Sequence, residues 1–148
     1  MSYQHTQYSP ATLRIAVLVL LAVVGTTVAV NGSRAGLAVI LLTALIVGVA
    51  LAVFSRLTIE MTDAEVRAVF GWGWPRRVVS LSDIVSVTGV RNSWWYGFGI
   101  RWFPGGTLWN VWGLDGVEFD LGDARKVRFG TDEPEALMAA LSGRVQTF

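Results

Sequence analysis

Few residues in this chain have the chemistry for catalysis. His5 is the only histidine, and there is no cysteine. That excludes disulfides, thiolate metal sites and a cysteine nucleophile. His5 lies in Met1–Thr12, a polar stretch with Pro10 and no apolar periodicity, which reads as a flexible tail. A histidine there cannot hold the geometry of a nucleophile pair or a metal site. Asp115 and Glu118 have the chemistry of an acid/base pair, but surface charges on a strand are far more common. Asp120 and Asp123 flank Gly122, where a turn explains them. Gly71-x-Gly73 and Gly97-x-Gly99 lack the lysine and the strand–loop–helix setting of a phosphate loop. The expectation is a chain with no catalytic residue, metal ligand or cofactor.

The aromatic residues are a stronger signal. Arg91–Gly113 holds Trp94, Trp95, Tyr96, Phe98, Trp102, Phe103, Trp109 and Trp112, interrupted by glycines. Pro104-Gly105-Gly106 predicts the turn of a hairpin with arms Phe98–Phe103 and Thr107–Trp112. Trp72 and Trp74 occupy an earlier Gly-Pro loop beside Arg76 and Arg77. Indole rings suit a membrane–water interface, being apolar with one N–H to turn to water, and arginine adds attraction to anionic head groups. Trp72, Trp74, Arg76, Arg77, Trp94, Trp95, Tyr96 and Arg101 are therefore candidates for a membrane interface or a partner contact. For the hairpin tryptophans, packing in the core or rim of a small domain is an equal alternative.

The segments that would position these residues begin with two apolar runs. Leu13–Val30 and Leu37–Phe54 flank the polar break Asn31-Gly-Ser-Arg-Ala-Gly36, and the only charges between Leu13 and Phe54 are Arg14 and Arg34. Each run is about the 18 residues a helix needs to cross a bilayer. The expectation is a transmembrane helical hairpin over 13–54, turned at Asn31-Gly32. The first run is long for a signal peptide, and Val28-Ala29-Val30-Asn31 is a poor cleavage site. Ala44, Gly48 and Ala52 form a small-residue stripe on the second helix, and Gly25 and Ala29 a shorter one on the first. These are the helix-packing candidates, within the hairpin or between copies. Arg56, Arg67, Arg76 and Arg77 outnumber Arg34, so the positive-inside rule predicts a multi-pass inner-membrane protein with both termini cytoplasmic.

After Ser55 the period changes to two. Leu57, Ile59 and Met61, then Val66, Ala68 and Phe70, predict a strand hairpin. Further strands are expected over Arg76–Leu81 and Ile84–Val90, and around Val117–Leu121 and Val127–Phe129. Thr131 or Asp132, with Pro134 and Glu135, predicts a capped C-terminal helix ending near Gly143. All eleven acidic residues lie beyond Phe54, so this domain is near neutral, which argues against nucleic acid. Arginine far outnumbers lysine (Lys126 is the only one), a bias suggesting a GC-rich bacterial genome.

Three segments carry a resemblance: Phe54-Ser-Arg-Leu-Thr-Ile59, Arg77-Val-Val-Ser-Leu-Ser-Asp-Ile84 and Gly130-Thr-Asp-Glu-Pro-Glu-Ala-Leu137. With the preceding helices, they resemble the bacterial pleckstrin-homology-like domains of small membrane proteins. The resemblance implies an α+β chain. A two-helix transmembrane hairpin would precede an antiparallel β-barrel of about seven strands, closed by a C-terminal helix. The organisation would be a tail over 1–12, the hairpin over 13–54, the domain over 57–142 and a tail over 143–148. It also implies a non-enzymatic role in binding, scaffolding or assembly, with membrane lipids and a protein partner or homo-oligomer as partners. The alternative is an accessory subunit of a membrane enzyme or transporter, docked through the Trp-rich hairpin. The basic loop with which related eukaryotic domains bind phosphoinositides is replaced here by Thr62-Asp-Ala-Glu65, which is short and acidic, so that site is not carried over.

Overall fold

Alternation governs the strands that follow the helices. β2 (Arg56–Met61) and β3 (Glu65–Phe70) bury every second residue, and Leu57, Ile59, Met61, Val66, Ala68 and Phe70 all point inward. This computed structural model describes residues 3–30 and 33–147. In chain order β1 (Tyr3–Tyr8), α1 (Ala11–Val30) and α2 (Arg34–Val53) precede β2 and β3, and β4 (Arg76–Ser80) and β5 (Ser86–Arg91) follow. Then come β6 (Gly99–Phe103), β7 (Gly106–Asn110), β8 (Asp115–Asp120), β9 (Lys126–Gly130), α3 (Pro134–Leu141) and β10 (Gln146–Thr147).

The strands form two open sheets in the orders β1-β2-β3-β4 and β10-β5-β8-β9-β7-β6. The first is antiparallel throughout. The second is mixed, because β7 pairs parallel with β9 and β10 parallel with β5. The single barrel of about seven antiparallel strands is therefore corrected. Its closure fails at β2, whose outer edge is taken by β1 instead of a strand of the second sheet. The tail expected over 1–12 is corrected with it: residues 3–8 form that strand. Its polar sequence hid it, since an edge strand is held by backbone pairing and polar cross-strand contacts such as Thr6 Oγ1 to Thr58 Oγ1 at 2.9 Å. Residues 146–147 likewise pair with β5 and are not a tail.

The core lies between the sheets. Phe70 stacks on Trp109 at 5.9 Å, Phe119 meets Phe129 edge-on at 5.0 Å, and Leu137 and Leu141 of α3 cover them. Burying each such side chain stabilises the fold by about 1.5–3 kcal/mol. The β6–β7 hairpin forms as its turn residues predict, with Phe103 opposite Gly106. Gly106 is required there, because a Cβ would run into the Lys126 carbonyl of the parallel neighbour β9. The side-chain cap expected at α3 does not form. Thr131 Oγ1 accepts the Glu133 N–H at 3.1 Å, and Asp132 is engaged elsewhere.

The helices run antiparallel against each other. Gly25 packs beside Ile40, and Gly36 beside Val28. Half-buried Val17, Leu21, Gly25 and Val28 of α1 recur every three or four residues, as do Gly36 and Ile40 of α2, the spacing of one helix face. Ser33 caps α2 by accepting the Gly36 N–H. No residue of α2 is buried.

The expected two-span transmembrane hairpin is also corrected. Among the described residues one helix, Arg34–Val53, is long and apolar enough to cross a membrane, and the apolar part of α1, Arg14–Val30, is shorter. At 1.5 Å per residue that part covers about 26 Å, against a hydrocarbon core of about 30 Å. Its first turn belongs to the domain, since Arg14 donates to the Ser9 carbonyl at 2.6 Å. The multi-pass inner-membrane placement, with both termini cytoplasmic, rested on two crossings and falls with them. The turn expected at Asn31-Gly32 lies outside the described residues.

Candidate functional site

The helices are joined to the domain by a short, tight junction. Phe54 ends α2 and meets Phe70 edge-on at 4.9 Å, so the last helical turn reaches the core. Gly71 lies directly beneath it: with φ at +50°, its missing Cβ would stand 2.7 Å from the Val53 carbonyl oxygen. Arg56 donates to the Gly71 carbonyl at 2.9 Å, and Ser9 N–H to the Ser55 carbonyl at 2.9 Å. Three chain segments thus meet at the base of the helices.

This junction places the β3–β4 loop. Trp72 lies beside Arg14, Leu18, Leu51 and Ala52. Trp72 and Trp74 are 81% and 75% exposed, so both rings are offered outward at the foot of the helices. Arg76 and Arg77 are exposed on β4 just beyond. Of these candidates Trp72 is set against the apolar helices, whereas Arg76 lies with Glu60, Glu65 and Arg67 on the surface of the first sheet.

The second aromatic segment divides. Trp109 is 8% exposed and belongs to the core, whereas Trp94, Trp95 and Trp102 are 75%, 67% and 79% exposed. Trp94 and Trp95 sit in a 3-10 turn and pack edge-to-face at 5.7 Å, and half-buried Tyr96 leans toward Phe103 at 6.4 Å. Position along the hairpin made the division: Trp102, opposite Thr107, and Trp109, opposite Ile100, share one face, but Trp109 stacks on Phe70 and Trp102 lies nearer the turn.

Between α2 and this segment runs an apolar crevice of about 390 Å³. Ile46, Ala50 and Phe54 form one wall, and Phe98, Ile100 and Arg101 the other. Phe98 is fixed by stacking on Trp112 at 4.8 Å. Arg101 is a candidate from the sequence but the crevice is not, because nothing in the pattern says that β6 returns to the end of α2.

The helix-packing candidates fare unevenly. Gly25 is on the α1–α2 contact, and Ala52 is half-buried near Trp72. Ala29, Ala44 and Gly48 are exposed, and a Cβ on Gly48 would meet nothing. The real seam on α2 passes through Gly36 and Ile40, which the small-residue spacing did not pick out.

His5 corrects the sequence reading. It is held on β1, with Nε2 2.6 Å from Asp132 Oδ1 and Nδ1 3.3 Å from Glu133 Oε2. Both ring nitrogens face carboxylates, so neither is free to take a proton from a nucleophile; the cluster clasps β1 to the start of α3. Asp115 and Glu118 lie three positions apart on β8, hence on opposite faces. Asp115 pairs with Arg91 at 3.2 Å. Glu118 is buried and accepts from Lys126 at 2.7 Å and Arg128 at 2.6 Å. Burial alone would raise its pKa, but those two hydrogen bonds outweigh it and hold the carboxyl below its ordinary value. Among the described residues no group of three or more His, Cys, Asp or Glu side chains is disposed to hold a metal ion.

No family model, curated protein or solved structure matches this chain.

Proposed function

We propose that this protein is a membrane-associated binding module with no catalytic activity of its own, in which α2 is the lipid-embedded element and the two-sheet domain is held against the lipid surface. The observation that carries this reading is the inversion of α2: a 20-residue helix without one buried residue, rigidly seated on a domain with an ordinary core. An apolar surface of that extent needs a cover, and lipid covers a helix that is apolar on every side. Trp72 at its foot, with Trp74, Arg76 and Arg77 exposed in the loop and strand that follow, suits the head-group layer. The His5 clasp and the Glu118 network tie up the acid–base groups in structural contacts, which supports binding over catalysis.

Fractionation of cells expressing the full chain tests this. The protein is expected in the membrane fraction, resistant to alkaline wash. Leu45→Arg, at the middle of α2, should shift it toward the soluble fraction at a cost of about 2.5–3.5 kcal/mol of insertion free energy. A wild-type chain that stays soluble without detergent would overturn the reading.

A second reading, an accessory subunit of a membrane enzyme or transporter, is favoured by Trp94, Trp95 and Trp102. They are exposed on the domain itself, where aromatic residues commonly anchor a protein contact.

A further inference from the structure

We infer that the crevice between α2 and β6 holds one acyl chain of an anionic membrane lipid, with Arg101 at its mouth taking the phosphate. This deepens the membrane reading and rests on it. The volume, about 390 Å³, falls within the range of roughly 300–1,000 Å³ typical of small-ligand sites. The wall chemistry suits hydrocarbon: Ile46, Ala50, Phe54, Phe98 and Ile100 are apolar, and no acidic residue lines the space. Arg101 is the charged residue of the lining, and it has no carboxylate partner among the described residues. An apolar slot closed by one free guanidinium is complementary to an acyl chain with an anionic head, since arginine can grip a phosphate with two donors.

The source of that chain follows from continuity. One wall of the crevice is α2 itself, whose exposed apolar surface extends from Ile46 away from the domain. A lipid beside α2 can therefore enter sideways without its tail crossing water. The opposite wall is stiff, because Phe98 stacks on Trp112 and Ile100 pairs across the hairpin with Trp109. The site is thus formed before its occupant arrives, which lowers the ordering cost of binding.

Full-length protein in lipid nanodiscs would be exposed to phosphatidylglycerol carrying a photoreactive group on its acyl chain, and the labelled peptides mapped. Labelling is expected on Phe98–Arg101 as well as on α2. Ala50→Trp, which fills the crevice, should remove the label from Phe98–Arg101 and leave that on α2. Arg101→Gln should lower labelling by phosphatidylglycerol about fivefold, and labelling by the phosphatidylcholine analogue little. Label on α2 alone would overturn the lipid slot and leave the membrane reading standing. Equal labelling by both lipids would overturn the role of Arg101 and the choice of an anionic lipid. Failure of the wild-type chain to enter nanodiscs would overturn both readings.

Discussion

The helical pair and the two-sheet domain solve opposite problems with the same residue types. In the domain, Leu57, Ile59, Phe70, Phe119 and Phe129 are withdrawn almost completely from solvent. In α2, Leu41, Leu42, Leu45 and Ile46 are all exposed. The domain's apolar residues alternate with polar ones, so two sheets have a face to bury against each other. Those of α2 surround the helix, so one neighbouring helix can cover only a stripe. Apolar content is therefore a poor guide to where a residue ends up; its periodicity decides. The two regions meet at Phe54, the residue through which the exposed helix enters the core.

The largest effect should come from breaking that meeting point. Phe70→Ala removes the ring that touches both Phe54 and Trp109 and should cost about 3–5 kcal/mol. Urea unfolding in mild detergent, followed by tryptophan fluorescence, measures this. Leu45→Ala on the exposed helix should leave the same transition almost unmoved. Equal losses for the two variants would mean that the regions unfold as one.

A smaller effect separates the charged network from the core. Glu118→Gln should cost about 2 kcal/mol, as a charged hydrogen-bond acceptor for Lys126 and Arg128 is lost. Because folding lowers the Glu118 pKa, its stabilisation is complete above the ordinary value of 4.5 and is lost as pH falls through the lower folded value. The wild-type chain should thus lose stability more steeply than Glu118→Gln on acidification below pH 4.5. Parallel curves in acid-titrated denaturation would remove Glu118 from that role.

The smallest effect probes the surface at the foot of the helices. Serine at both Trp72 and Trp74 should weaken association of the full chain with anionic vesicles about tenfold, roughly 1.4 kcal/mol, without shifting the urea midpoint. A shift in the midpoint with unchanged partitioning would make these rings structural.

Much of this was legible in the residues. The alternation in Leu57–Met61 and Val66–Phe70 gave the first hairpin, and Pro104-Gly105-Gly106 gave the second. The fate of the tryptophans was not legible. Trp102 and Trp109 share one face of the same hairpin, and only the reach of the other sheet, which sets Phe70 against Trp109, made one a surface residue and the other core. His5 was hidden for a similar reason, since a polar segment shows no period until a strand such as β2 offers it an edge.

By itself, the sequence determined local geometry where it is periodic: where chain direction changes, which apolar-patterned stretches are helical or extended, and that α2 is apolar on every side. These follow from dihedral preferences and side-chain period, which act over a few residues. Tertiary structure alone decided that β1 takes the open edge of β2, that two sheets form in place of a closed barrel, and that β6 returns to α2 to shape the crevice. Such outcomes depend on which distant edges and faces meet, and no pattern along the chain encodes the partner of an edge.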